Sequence, residues 1–426
     1  MGRLAIIHTT SSAMAIASIA SAVVLAAAVV VHADGRSGEP VPYIETFDGR
    51  PARPEPWRPL DWDVTTHSRD PNTWRTPRPM EAMHGDICTP PPAAHTARSY
   101  EDAVFLCNDH LMTAINASSY GVIYLTPSHQ VDFSDGEATI RFDLSTLRTS
   151  PRDWIDLWVS PYDEHLQLPL EDWLPDLNGP PRSAVHIKME SLNGATPFKA
   201  FVYRNFREED VGGDAQTGYE SFLDPSALRR DTFELRLSRT HLKFGMPAYD
   251  FWWVDMDIAD LGWDQGVAQF GHHSYDPTRN CPTCGPNTWH WDNVSISSAI
   301  PFTMLRADRR YVDPDTEPGV NFPAPSPDNS RLRFAGVGRN IEVSFDGGTT
   351  WEPAQLQTQM KYDYTRFQSY WTPIPAGVWS VRFRGKSATP GLPWMVQDIS
   401  VWSREPPAQN SAQPPSEQAA LFECPL

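Results

Sequence analysis

Short runs in which apolar and polar residues alternate dominate the chain between residues 121 and 297. They read GVIYLT, ATIRFDL, WIDLWVS, AVHIKME, FKAFVYR, TFELRLS, FWWVDMDI, GVAQFGHH and WDNVSIS, and Gly, Pro, Asn or Asp bound them. Side chains alternate between the two faces of a strand, so this pattern predicts half-buried strands rather than helices. An earlier run, AVFLCNDHLMTAI, adds to the series. The expected architecture is an antiparallel all-β sandwich with few, short helices. A second series (RLRFAG, NIEVSFDGG, SYWTPI, VWSVRFRG, MVQDISVWS) predicts a smaller β-sandwich. The expected organisation is a leader over 1–33, a large sandwich over 42–300, a Pro-rich linker over 301–330, a small sandwich over 331–404 and a polar tail over 405–426.

The same period assigns faces. In WIDLWVS, Ile155, Leu157 and Val159 take the core, leaving Asp156 and Trp158 outward. In AVHIKME, Val185, Ile187 and Met189 take the core, leaving His186 and Lys188 outward. In FWWVDMDI, Trp252, Val254, Met256 and Ile258 point inward, with Trp253, Asp255 and Asp257 outward. In GVAQFGHH, Ala268, Phe270 and His272 share the apolar face, while Gln269, Gly271 and His273 share the other, so the two adjacent histidines do not face one metal ion. In the last run, Val294 and Ile296 place His290 and Asp292 inward and Trp291 and Asn293 outward. The outward set combines stacking platforms (Trp158, Trp253, Trp291) with hydrogen-bonding groups (Asp156, Asp255, Asp257, His186, Gln269, His273, Asn293), the makeup of a polysaccharide cleft.

Composition agrees with short strands and irregular loops: the 426 residues include 41 Pro, 25 Gly and 16 Trp. The formal net charge is -18, and no run of Lys or Arg suggests a phosphate-tracking groove, which argues against nucleic acid as a partner. The apolar run from Ala13 to Val31, followed by the small-x-small site Val31-His32-Ala33, reads as an export signal cut after Ala33. Uncut, it would be a membrane anchor, and either reading puts the remainder outside the cytoplasm, extracellular or at the cell surface. In an oxidising compartment the simplest pairing is Cys88 with Cys107 and Cys281 with Cys284, leaving Cys424 over. CPTC then staples a loop. The early cluster His84, Asp86, His95, Asp109 and His110 fits no regular metal-ligand spacing, so we read a loop in which His84 and His110 line the cleft. No catalytic metal or cofactor is expected, calcium being the one structural ion considered.

With FDG opening it and TWHWDNVSIS closing it, the stretch 42–300 resembles the concanavalin A-like lectin and glucanase superfamily. The resemblance implies a jelly-roll sandwich with a glycan lying on one sheet. The following small sandwich is of immunoglobulin-like or carbohydrate-module-like type, and its SFDGGTTW, Ser344–Trp351, resembles the Asp-box turn of sialidases. Laminarinase-like members carry E-x-D-x-x-E on one strand; here the nearest match is DMDIAD. The expectation is an exported glycoside hydrolase with Asp255 and Asp257 as the carboxylate pair, Asp156 as helper and His273 or His186 tuning protonation. The alternatives are a non-catalytic glycan-binding or cell-surface adhesion protein, and a metal-dependent enzyme at the early His/Asp cluster.

Overall fold

Every strand pairing in the computed structural model is antiparallel. The structure describes residues 40–47, 55–57, 61–68, 104–107, 109–115, 120–148, 153–165, 181–191, 198–212, 231–275, 287–307, 318–356, 368–390 and 394–405. His84, Cys88, Cys281 and Cys284 lie outside these residues, as does the proposed leader, so the expectations placed on them are not addressed by the fold. No helix among the described residues is long and apolar enough to cross a membrane.

The first sandwich runs β1 (Val41–Glu45), β2 (Glu55–Pro56), β3 (Trp62–Ser68), β4 (Val104–Cys107), β5 (His110–Ile115), β6 (Tyr120–Pro127), β7 (His129–Asp132), β8 (Ala138–Arg148), β9 (Asp153–Ser160), β10 (Ser183–Ser191), β11 (Phe198–Arg204), β12 (Arg207–Gly212), β13 (Asp231–Leu237), β14 (His241–Met246), β15 (Phe251–Asp257), β16 (Gln265–Tyr275) and β17 (Asn287–Pro301). One sheet has the order β3-β6-β16-β9-β10-β11-β12. The other has the order β4-β5-β17-β8-β13-β14-β15, with β1 also on β17. β7 pairs with both β16 and β17 and ties the sheets together. This is the expected all-β jelly-roll class.

Alternation builds the core. Ile140, Phe142 and Leu144 from β8, Ile155, Leu157 and Val159 from β9, Val185 and Ile187 from β10, Phe233 and Leu235 from β13, and Ala268 and Phe270 from β16 are all buried in one cluster between the sheets. Of the register shifts in this sandwich, two bulges decide where Trp residues point. In β17, Asp292 lies opposite Asp143 and Ser295 opposite Arg141, so one extra residue is accommodated beside Asn293, whose φ is 45°. Trp289 and Trp291 therefore point into the core on one side of the bulge, as Val294 and Ile296 do on the other. In β15, Trp252 lies opposite Gly245 and Val254 opposite Phe244, which leaves Trp253 as the extra residue, packed against the core. Gly245 permits this, because a Cβ there would stand 2.1 Å from the Phe251 carbonyl oxygen and 2.7 Å from Trp252 Cα. The expected outward positions of Trp253 and Trp291 are thus corrected.

The second sandwich comprises β18 (Thr303–Arg306), β19 (Gly319–Asn321), β20 (Arg331–Val337), β21 (Arg339–Ser344), β22 (Glu352–Pro353), β23 (Gln368–Pro373), β24 (Ser380–Lys386) and β25 (Met395–Ser403), in two sheets ordered β18-β25-β20-β23 and β19-β24-β21-β22. β18 and β19 arise from the stretch read as a linker, so the second sandwich begins where the first ends. The Ser344–Trp351 turn is closed by its own side chains: Ser344 Oγ donates to Asp346 Oδ1 at 2.8 Å and Thr350 Oγ1 to Asp346 Oδ2 at 2.6 Å.

The two sandwiches share a buried seam of Tyr162, Val267, Phe302, Met304, Trp371 and Trp402. Beside it Arg333 of β20 pairs with Asp63 of β3 and donates to Thr65 Oγ1 at 2.5 Å, all three side chains buried. Burial pulls the Arg333 guanidinium down to about 10, which leaves it charged at neutral pH.

Candidate functional site

Adjacency of β16, β9 and β10 brings Asp156, His186, Gln269 and His273 together on the outer face of the first sheet. In register, His186 lies opposite Trp158, Lys188 and Gly271 both lie opposite Asp156, and His273 lies opposite Trp154. His186 donates from Nε2 to Asp156 Oδ1 at 2.8 Å, and His273 Nε2 sits against Asp156 Oδ2. That donation fixes the His186 tautomer, because an ionised carboxylate only accepts. His186 Nδ1 is buried and meets no hydrogen-bond partner among the described residues. Burial pushes the Asp156 carboxyl up, but the imidazoles of His273 and His186 outweigh it and hold the group well below the usual carboxylate range.

Aromatic rings wall this centre. His186 stacks on Trp158 with ring centroids 3.6 Å apart, and His273 stacks on Trp154 at 4.7 Å and meets Tyr124 edge-on at 5.5 Å. Lys188 Nζ lies 4.8 Å from the Trp154 ring. Gly271 makes room: a Cβ there would come within 2.9 Å of Tyr124 Cε1 and 3.2 Å of both Asp156 Cβ and His273 Nε2. Gln269 donates to Thr126 Oγ1 at 3.3 Å on the same face. The centre is closed to solvent, Asp156, Trp158 and His186 being 1%, 4% and 3% exposed. Toward β11 and β12 the face opens: Phe201 is half-buried, and Lys199, Glu208 and Asp210 are exposed.

The expected carboxylate pair is elsewhere. Asp255 and Asp257 project from β15, the last strand of the other sheet, where His241 bridges them through Nε2 to Asp255 Oδ1 at 3.1 Å and Nδ1 to Asp257 Oδ1 at 3.0 Å. Lys243 Nζ donates to Asp255 Oδ2 at 2.7 Å, and this bond is the largest cause of its lowered pKa. The structure therefore does not join Asp156 with Asp255 and Asp257. Asn293 also lies on the second sheet, donating from Nδ2 to Asp143 Oδ2 at 2.8 Å. His110 is buried there against His290, with 2.7 Å between His110 Nε2 and His290 Nδ1, and Asp109 ahead of it is exposed. Among the described residues no three His, Cys, Asp or Glu side chains converge as a metal site.

Sequence reasoning missed Trp154 and Tyr124, whose rings pack on His273. The alternation in WIDLWVS gives Trp154 the parity of Asp156; the strand order β6-β16-β9 that brings both rings to His273 does not appear in it.

No family model and no curated protein sequence matches the chain. Solved structures resembling it include a putative β-glucanase from Mycobacterium abscessus (15% identity, 60% of this chain and 98% of that one, TM-score 0.35) and a β-1,3-glucanase from Mycobacterium marinum (13%, 61% and 100%, TM-score 0.35). A protein of unknown function with a galectin-like fold from Bacillus subtilis is also similar (10%, 48% and 94%, TM-score 0.34). Likeness at this level leaves function to be argued from the side chains.

Proposed function

We propose that the chain is an exported glycan-binding β-sandwich protein whose ligand surface is the outer face of the first sheet, and that it binds without two-carboxylate hydrolysis. The carrying observation is the engagement of Asp156, buried and held as an anion between His186 and His273. A glycosidase of that kind needs a protonated carboxylic acid facing an ionised partner, and Asp156 is the wrong form for the acid. Asp255 is likewise held ionised, on the other sheet.

Glycan binding is supported by the open end of the face. Phe201 offers a half-exposed ring on β11, flanked by Lys188, Lys199, Glu208 and Asp210 as hydrogen-bonding groups. Trp158 is not such a platform, since His186 covers it; it stiffens the wall behind Phe201. Retention of the purified protein on a panel of insoluble polysaccharides, scored beside the release of new reducing ends, tests the reading. Retention that Phe201→Ala weakens, with no reducing ends, is the expected result; absence of retention on every polymer overturns it.

A further inference from the structure

The seam between the sandwiches contains a cavity of about 230 Å³. Tyr162 and Trp402, both at least nine-tenths buried, form its floor, with Trp402 fixed between Phe302 and His165 at centroid distances of 5.1 and 5.5 Å. On its wall Arg404 donates to Asp163 Oδ2 at 2.6 Å and lies over the Tyr162 ring at 5.1 Å, so this cation and anion are committed to each other. Arg331, Asn329 and Glu405 are not. Their side chains line the cavity, are exposed, and make no ion pair or hydrogen bond with other described side chains. Asn329 is held in the left-handed region at φ 52°, in the turn that leads into Arg331.

We propose that this cavity binds one neutral sugar ring, as a second glycan site separate from the outer face around Asp156. Three properties lead there. Charge comes first: Arg331 and Arg404 balance Asp163 and Glu405, in a chain of net charge -18, so the cavity selects neither an anion nor a cation. Size comes second. Pockets for drug-sized ligands hold about 300–1,000 Å³, and this one is below that range, which admits a single ring and not a chain segment. Chemistry comes third: guanidinium (two donors), carboxylate (two acceptors) and carboxamide (one donor and one acceptor) are planar groups with two hydrogen-bonding atoms side by side, and hydroxyls on adjacent ring carbons match them in pairs. Tyr162 adds a phenol that burial, the largest cause, keeps protonated, so it remains a donor.

The ligand class rests on the glycan reading above, while the site does not. The test titrates the full chain with glucose, galactose and mannose, with glucuronate as the charged comparison, by calorimetry and by saturation-transfer NMR. At least one neutral hexose should bind, more tightly than glucuronate. Arg331→Ala and Glu405→Gln, both at exposed positions, should each weaken it about tenfold, or roughly 1.4 kcal/mol, whereas Phe201→Ala leaves it unchanged. Failure of all three hexoses, preference for glucuronate, or a hexose affinity untouched by either cavity variant overturns the proposal. Polymer retention is measured in parallel. Retention that survives without hexose binding sinks the cavity alone, and hexose binding without a Phe201 effect on retention sinks the outer-face reading alone.

Discussion

Replacing Asp156 by Asn keeps the shape of the side chain and removes its charge. The amide oxygen still accepts from one imidazole, but its NH2 now faces the other, so one charge-assisted hydrogen bond is lost in a fully buried site. Such a bond contributes about 1.5–3 kcal/mol, and no cavity forms, so the expected loss at pH 7 is about 2–3 kcal/mol. For a domain of this size each kcal/mol moves the melting temperature by roughly 2–4 °C, a fall of about 4–12 °C. The pH dependence identifies the cause. The folded carboxyl titrates below its unfolded value of about 3.9, so the unfolded chain takes up the proton first as pH falls. Its contribution is complete above about pH 4 and lost below. Differential scanning calorimetry of both proteins should therefore show a gap that is constant near neutrality and narrows progressively as pH drops below about 4. A variant that melts with wild type at pH 7, or a gap unchanged in acid, refutes the ionised-Asp156 reasoning.

Three further outcomes are expected. Arg333→Ala removes the near cation of buried Asp63, leaving Arg306 Nε at 3.9 Å, and should cost up to about 3–5 kcal/mol in urea unfolding, whereas Arg333→Met with Asp63→Leu should recover part of that; a double variant no more stable than the single one contradicts a paired-charge seam. Burial lowers His165 and His290 to about 3, so both stay neutral in the fold while the unfolded chain protonates near 6.5. Stability should thus decline as pH falls below about 6.5, each group adding a slope of at most about 1.4 kcal/mol per pH unit. His165→Gln should flatten the profile by one such group, and an unchanged profile would be evidence against a neutral His165. Asp255→Asn and Asp257→Asn, at exposed positions, should leave both the melting temperature and polymer retention unaltered, and loss of retention in either would move the ligand surface to the second sheet.

Period-two patterning located the faces of β9, β10 and β16, and Asp156, His186, Gln269 and His273 share a face as their alternation requires. It failed where a strand carries an extra residue. Counting back from Val294 and Ile296 crosses the bulge at Asn293 and inverts every residue beyond it, which is how Trp291 was read as outward and His290 as inward. Trp253 failed for the same reason beside Gly245. An Asn and a Gly were the available signals, each tolerating backbone geometry that other residues resist. A second limit is topological. Alternation says which face a residue takes and not which sheet, so Asp156 and Asp255, both outward, were placed together although they stand on opposite sheets. The Pro-rich stretch misled in the opposite direction, because among the described residues β19 pairs with β24 alone, and an edge strand tolerates the residues that suggested a linker.

The seam constrains how a ligand reaches the first sheet. Trp62 and Val64 of β3 enter the core, so Asp63 and Thr65 belong to the same outer face as Asp156, and Arg333 of the second sandwich covers them there. The β3 end is therefore shut by a buried ion pair, and the centre over β16 and β9 is filled by His186 and His273 stacked on Trp158 and Trp154. Among the described residues, the β11–β12 end is the part of this face that keeps an aromatic ring beside exposed polar groups. A glycan approaching from that end meets Phe201 first and Lys188 next, and reaches Asp156 only if His186 moves. His186 is held by the carboxylate on one side and by the indole 3.6 Å away on the other, and breaking both would cost several kcal/mol. A centre so fastened shapes a binding surface more readily than it serves as an acid that must exchange protons with its substrate at every turnover.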